Sequence, residues 1–283
     1  MFRTIGKILE WIGKHFWGML FLLIVVIVLM PETEPIHPAN LQEIKLSGPI
    51  LDSDTVVKEI KKAQKDKKIK GVLFTVDSPG GAVPPSIEIS YAIKELKTHK
   101  PVIAYAAGIM ASGSYYGSIY ASRIIANPGS IVGSIGVIME SANIKALMDK
   151  IGIEPQTIQE GTYKQAGTPL RKWTPQERAE LERLAKDTYT LFIQDVAKAR
   201  ALDINDSKAY ADAHIFSAGR ALKAGLIDEI GVKSDAKEEL RKLAKVKEAR
   251  WKEKDKFQTF LDKLTNKAIL QVQSYFYGLK AVL

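Results

Sequence analysis

Ser112 and Lys164, 52 positions apart, are the residues whose settings suggest chemistry. Ser112 sits in GIMASGSYYGS, where an apolar strand signal gives way to a helix signal between small residues. A hydroxyl at such a turn can act as a nucleophile. The amide of Gly113 and the positive end of the following helix would favour negative charge developing beside it. The same serine reads equally as a helix cap, and Ser114 and Ser118 are neighbouring candidates for the nucleophile. A nucleophilic serine needs a base. None of His15, His37, His99 and His214 lies in a glycine-rich or strand-end setting, and G-x-S-x-G is absent, which disfavours a Ser-His-Asp triad. A lysine can serve if it is neutral, which requires shelter from water. Lys164, in EGTYKQAG, has uncharged neighbours from Gly161 to Gly167; a solvated loop lysine is the plain alternative.

DSPGG (Asp77 to Gly81) follows a buried apolar strand signal. Glycines there leave backbone amides approachable at the carboxyl end of a parallel sheet, where open α/β folds put ligands, and such amides can hold an oxyanion. A strand-to-helix turn that simply needs glycine is the other reading. Neither G-x-G-x-x-G nor G-x-x-x-x-G-K is present, so nucleotide binding is unsupported. Ser234 to Lys237 match S-x-x-K, but no SDN or KTG accompanies them and Ser234 reads as a helix cap.

The elements that must position these residues alternate. IKLSGPI, KGVLFTVDSPGG, PVIAYAAG, SRIIANP, GSIGVIM and IEPQTIQ read as strands. Helices are expected over SDTVVKEIKKAQKD, PPSIEISYAIKELKTHK, the segment around Tyr115 and Tyr116, and residues 143–150. A long helix follows from about Trp173, opened by a capping box with Thr174 as cap, Pro175 as first helical residue and Glu177 as reciprocal partner. This order predicts an α/β fold with a mainly parallel sheet covered by helices, in one domain over about residues 44–235. Residues 31–43 read as a linker and 236–283 as a charged extension. The extension ends in an amphipathic stripe through Phe257, Phe260, Leu261, Leu264, Ala268, Val272 and Tyr275.

The 283 residues carry no cysteine, which excludes disulfides, thiolate metal sites and a cysteine nucleophile. The histidines share no metal-ligand spacing, so neither a metal nor a cofactor is expected. The net charge of +9 comes from scattered Lys and Arg without an aromatic-interleaved basic motif, so no nucleic-acid partner is expected. Residues 16–30 run without a charge. At about 1.5 Å per residue they span roughly 22 Å, so a membrane helix must extend back through Trp11 and Ile12 with Lys14 reaching the headgroups. Arg3, Lys7 and Lys14 precede the run and Glu32 and Glu34 follow it, placing residues 1–30 as a cytoplasmic N-terminus plus single-pass anchor and the remainder outside the cytoplasmic membrane. A cleaved signal peptide is the competing reading, against which LMPETEP offers no small-x-small site.

Taken in order, DSPGG, ASGSYY, GSIGVIM, GTYKQAG followed by TPQERAEL, and FSAGRALKAGLIDEIG resemble the bacterial signal peptide peptidase A family (protease IV) in its short, single-repeat form. The resemblance covers roughly residues 44–235 and implies a ClpP/crotonase-like fold with repeated β-β-α units. It implies Ser112 as nucleophile, Lys164 as general base, the amides of Gly81 and Gly113 as oxyanion hole, and Ser134 as the hydroxyl orienting the lysine. It also implies a homo-oligomeric ring or dome, from tetramer to octamer, whose sites a neighbouring subunit can complete, with remnant signal peptides and other unfolded peptides as substrates beside membrane lipid. Two positions depart from the family's pattern: Ser114 stands where a glycine is usual, and Asp77 where asparagine is more frequent. A crotonase-like acyl-CoA enzyme and a catalytically inactive membrane scaffold are the rival functions.

Overall fold

The computed structural model describes Trp11, residues 13–22 and residues 38–253. Two units are distinguished, residues 1–38 and a compact unit from Ala39 onward. In the first, Trp11 and residues 13–22 are helical. Among the described residues no helix is long and apolar enough to cross a membrane. Residues 23–30 of the expected anchor, and the stripe from Phe257 to Tyr275, lie outside the described residues.

The second unit is built on a parallel sheet in the order β1-β2-β3-β4-β7, with β1 Leu41–Ser47, β2 Gly71–Ser78, β3 Val102–Ala111, β4 Arg123–Ala126 and β7 Glu229–Ile230. The end of β3 also pairs with β5 (Ile131–Gly133), which in turn pairs antiparallel with β6 (Ile215–Ser217). The strands are apolar on both sides because both faces are covered. On one face Phe74, Val76, Ala104 and Ile124 pack beneath α1 (Asp54–Lys65), α2 (Val83–Lys97) and α3 (Gly113–Ser118). On the other, Leu41, Leu73, Ile103 and Ile125 meet Ala236 and Leu240 of α8 (Lys233–Leu243). Trp251 bridges Leu41 in parallel and so covers the outer edge of β1.

Three further α-helices lie between β5 and β6. α4 (Lys145–Ile151) is short, and α5 (Pro175–Arg200) runs 26 residues. Thr174 and Glu177 form the expected reciprocal cap, with Pro175 at the first helical position. Only the carboxyl part of α5 docks: Phe192, Val196 and Ala197 are buried, whereas from Pro175 to Leu191 Glu177 alone is. Two short helices, α6 (Ser207–Tyr210) and α7 (Ala218–Lys223), flank β6. Strand–helix alternation holds through α3. The expected strand over IEPQTIQ does not form, and residues 153–164 are exposed throughout without regular structure. GSIGVIM also differs from expectation: pairing stops at Gly133, because Gly133 and Ser134 take φ of 105° and 50°, which no strand sustains.

Candidate active site

The site lies at the carboxyl ends of β2 and β3. Pairing between these strands jumps from Val76–Ala106 to Ser78–Met110, so β3 bulges over Ala107, Gly108 and Ile109. Asp77 holds the bulge, accepting the Ile109 N–H at 3.0 Å through Oδ1; a Cβ on Gly108 would come within 2.5 Å of that oxygen. An asparagine oxygen could accept the same bond, which accounts for the exchange at this position. The bulge carries Ile109 to Ala111 over to β5, and β3 ends at Ala111, just before Ser112.

Ser112 has φ 53° and ψ −124°, a left-handed conformation that costs a non-glycine residue on the order of 1–3 kcal/mol. Its N–H donates to Gly133 O at 2.7 Å, and its own carbonyl accepts the Tyr116 N–H at 3.0 Å, starting α3. The strained turn lifts the side chain out of the strand's plane, as in the strand-to-helix elbows of serine hydrolases. The three candidate hydroxyls now separate. Ser114 is fully buried; its Oγ donates its one proton toward Ser78 O at 2.7 Å, with Ala111 O also in reach at 2.9 Å, and accepts the Ala111 N–H at 2.9 Å. Ser118, also buried, donates to Ser114 O at 2.8 Å. Ser112 alone of the three reaches solvent. Ser114 thus ties the ends of β2 and β3 together, a task the usual glycine could not perform.

Gly81 and Gly113 face one another: a Cβ on Gly113 would lie 3.3 Å from Gly81 N and 2.2 Å from Ser86 Oγ. Gly81 forms a parallel bridge to Ile50, in which Ile50 N–H donates to Gly80 O and Ala82 N–H to Ile50 O. In that pattern the N–H of Gly81 itself points away from Ile50. Gly113, first residue of α3, contributes one of the helix's orphan amides. Gly80, not singled out from the DSPGG glycines in the sequence, fixes their approach: at φ 93° a Cβ there would strike Gly113 N at 2.6 Å and Ser112 Cβ at 2.9 Å. Signal for it existed, since DSPGG holds two glycines in one turn.

Ser134 is one residue beyond the carbonyl that holds Ser112. Its N–H donates to His214 O at 2.7 Å, and Ala213 N–H donates to Ile135 O at 2.9 Å. Asp212 and Ala213 have φ of 58° and 57°. Four of the six non-glycine residues with positive φ among those described therefore lie in the segments around Ser112, Ser134 and His214 that these bonds bring side by side. Strain gathered this way marks functional sites more often than structural ones.

Lys164 is not bonded to this group. It is exposed in the turn 162–167, its N–H donates to Gly161 O at 3.2 Å, and no hydrogen bond among the described residues joins it to Ser112. The structure thus brings Ser112, Gly81, Gly113 and Ser134 together and leaves Lys164 on the loop ahead of α5.

A solvent-reachable serine on a strained elbow beside two free amides has the layout of an acyl-transfer centre. The chain belongs to peptidase family S49, whose family model matches residues 94–247. A provisionally named protease of Methanocaldococcus jannaschii is 43% identical over 183 residues, which are 65% of this chain and 59% of that protein. One from Synechocystis is 35% identical over 201 residues, 70% of this chain and 72% of its own. A protein of Enterococcus faecium, provisionally named signal peptide peptidase SppA, is 35% identical over 192 residues, 68% of this chain and 56% of its own. The chain therefore spans less than two thirds of two of these relatives.

Proposed function

We propose that the protein is a ClpP/crotonase-like serine endopeptidase with a Ser112–Lys164 dyad, cleaving apolar peptides of the signal-peptide class. The observation that carries this reading is the accessibility of Ser112 on its strained turn, beside the facing amides of Gly81 and Gly113, while Ser114 and Ser118 are buried and bonded. Ser112 Oγ attacks the scissile carbonyl carbon and its proton passes to Lys164 Nζ. The carbonyl oxygen takes the negative charge opposite the two amides. Collapse breaks the C–N bond, Lys164 returns the proton to the leaving amine, and water repeats the sequence on the acyl-enzyme. Ser134 orients the amine.

Lys164 comes from a neighbouring copy. The segment 134–174 and the amino half of α5 form an arm with little burial of its own, and Ile138, Leu147, Ile151, Ile153 and Ile158 are each more than half exposed on it. So many exposed apolar side chains on one segment suit a subunit interface, and a closed ring is its natural outcome. Leu51 and Val83, both exposed, flank the Gly81 bridge and suit apolar substrate side chains. In this reading residues 16–30, uncharged and preceded by Arg3, Lys7 and Lys14, serve as the anchor, and the site works outside the cytoplasmic membrane, where remnant signal peptides arise. Membership of a peptidase family disfavours the acyl-CoA alternative.

The test is turnover of a fluorogenic apolar peptide by Ser112→Ala, by Lys164→Ala, and by the two co-expressed. Each alone should be inactive. If the dyad is shared between neighbours in a ring, random mixing restores about a quarter of the parent rate, since one neighbour pairing in four unites both intact groups. Activity in either single variant refutes the dyad; no recovery on mixing refutes its sharing.

A further inference from the structure

We infer that Arg171 is a positioning residue for the proposed base, acting through Gln165, the residue next to Lys164. This rests on the reading of Lys164 given above. The guanidinium uses all its donor positions. Nε and Nη2 donate to Gln165 Oε1 at 3.2 and 2.8 Å, Nη2 also donates to Glu177 Oε1 at 2.8 Å, and Nη1 donates to Glu177 Oε2 at 2.8 Å and Lys172 O at 3.1 Å. Glu177 is in turn immovable. Its carboxylate accepts the Thr174 N–H at 2.8 Å, its own N–H donates to Thr174 Oγ1, and it is the one buried residue in the amino half of α5. Trp173 Nε1 donates to Thr168 O at 2.9 Å and fastens the far end of the same turn.

The turn that bears Lys164 would otherwise be loose. It lies in a segment without regular structure; its backbone bonds are short-range, such as Ala166 N–H to Tyr163 O, and beyond Arg171 its side-chain link to α5 runs from Tyr163 to Arg183. A planar fork that spans a side-chain amide and a carboxylate fixes both distance and angle, which a lysine ammonium cannot do. The α5 cap, ordinarily a device for helix stability, here transmits its rigidity one residue short of the amine.

Gln165→Met separates positioning from folding, since it removes the acceptor while leaving the Arg171–Glu177 pair and the cap in place. Turnover of the fluorogenic peptide by the full chain should show kcat lower by about 10- to 100-fold with KM changed less than about twofold, because a displacement near 1 Å suffices for such a loss. Gln165→Glu, which keeps an acceptor for Arg171, should recover kcat to within about threefold of the parent on the alkaline plateau of its pH profile, where the added carboxylate no longer holds the lysine protonated. A kcat for Gln165→Met within about twofold of the parent, or equal loss in Gln165→Glu, overturns the inference. Lys164→Ala is measured alongside. If it is inactive while Gln165→Met is not, only the positioning role falls; if it is active, the base itself is wrong and its positioning with it.

Discussion

Gly80→Ala tests the arrangement around Ser112 most directly. The added methyl meets Gly113 N at 2.6 Å, Ala111 O at 2.8 Å and Ser112 Cβ at 2.9 Å, and the first two are backbone atoms that cannot turn aside. The residue must also hold φ 93°. Left-handed strain contributes about 1–2 kcal/mol and overpacking about 1–3 kcal/mol. The expected destabilisation is therefore about 2–5 kcal/mol, within what a domain of ordinary stability survives. The effect on rate is separate and larger than the folded fraction explains: the methyl pushes the Gly113 amide from its place, and loss of one oxyanion donor lowers kcat by about 100- to 1,000-fold. Urea unfolding gives the first quantity, and turnover of a fluorogenic apolar peptide per folded molecule gives the second. Gly117→Ala in the same helix is the control. Its Cβ meets Ile89 Cγ2 at 3.1 Å, a side chain that can move, and its kcat should stay within about twofold of the parent. A folded Gly80→Ala protein with parental kcat refutes the role given to Gly113.

Two further outcomes concern the scaffold. Glu177 is held to a pKa of about 2, below its ordinary 4.5, first by Arg171 and then by the Thr174 amide. Its stabilisation is present above about pH 4.5 and lost as pH falls toward 2, so the thermal midpoint of Glu177→Gln should differ most from the parent above that window and converge with it below. Asp228 accepts the Ile124 N–H at 2.6 Å and pairs with Arg200, whose side chain is 9% exposed. Asp228→Asn keeps an acceptor but strands the buried guanidinium, and should lower stability by about 2–4 kcal/mol in urea unfolding, partly regained in Asp228→Asn/Arg200→Met.

Local chemistry carried much of this in the sequence. Thr174, Pro175 and Glu177 announced the start of α5 because a capping box is decided within four residues. The apolar runs of β2 and β3 were legible because a strand covered on both faces leaves no polar alternation to misread. Ser112 could not be separated from Ser114 by its neighbours in sequence. What divides them is a register jump between two strands 30 residues apart and the carbonyl of Ser78, which are tertiary facts. IEPQTIQ had strand propensity but has no edge to pair with, and its apolar residues face outward. Arg171 was invisible for the same reason, since its meaning lies in two partners each six positions away on opposite sides.

The pairing of Trp251 with Leu41 has an architectural consequence. Asn40 and Leu41 both donate to Arg250 O, at 2.8 and 3.1 Å, and Lys252 N–H returns to Leu41 O at 2.8 Å, so residues 39 and 252 lie side by side. A short tether joining them would close residues 39–252 into a circle with little distortion. New ends could then be cut in the exposed stretch 153–160, giving a permuted protein whose sheet keeps every strand neighbour it has now.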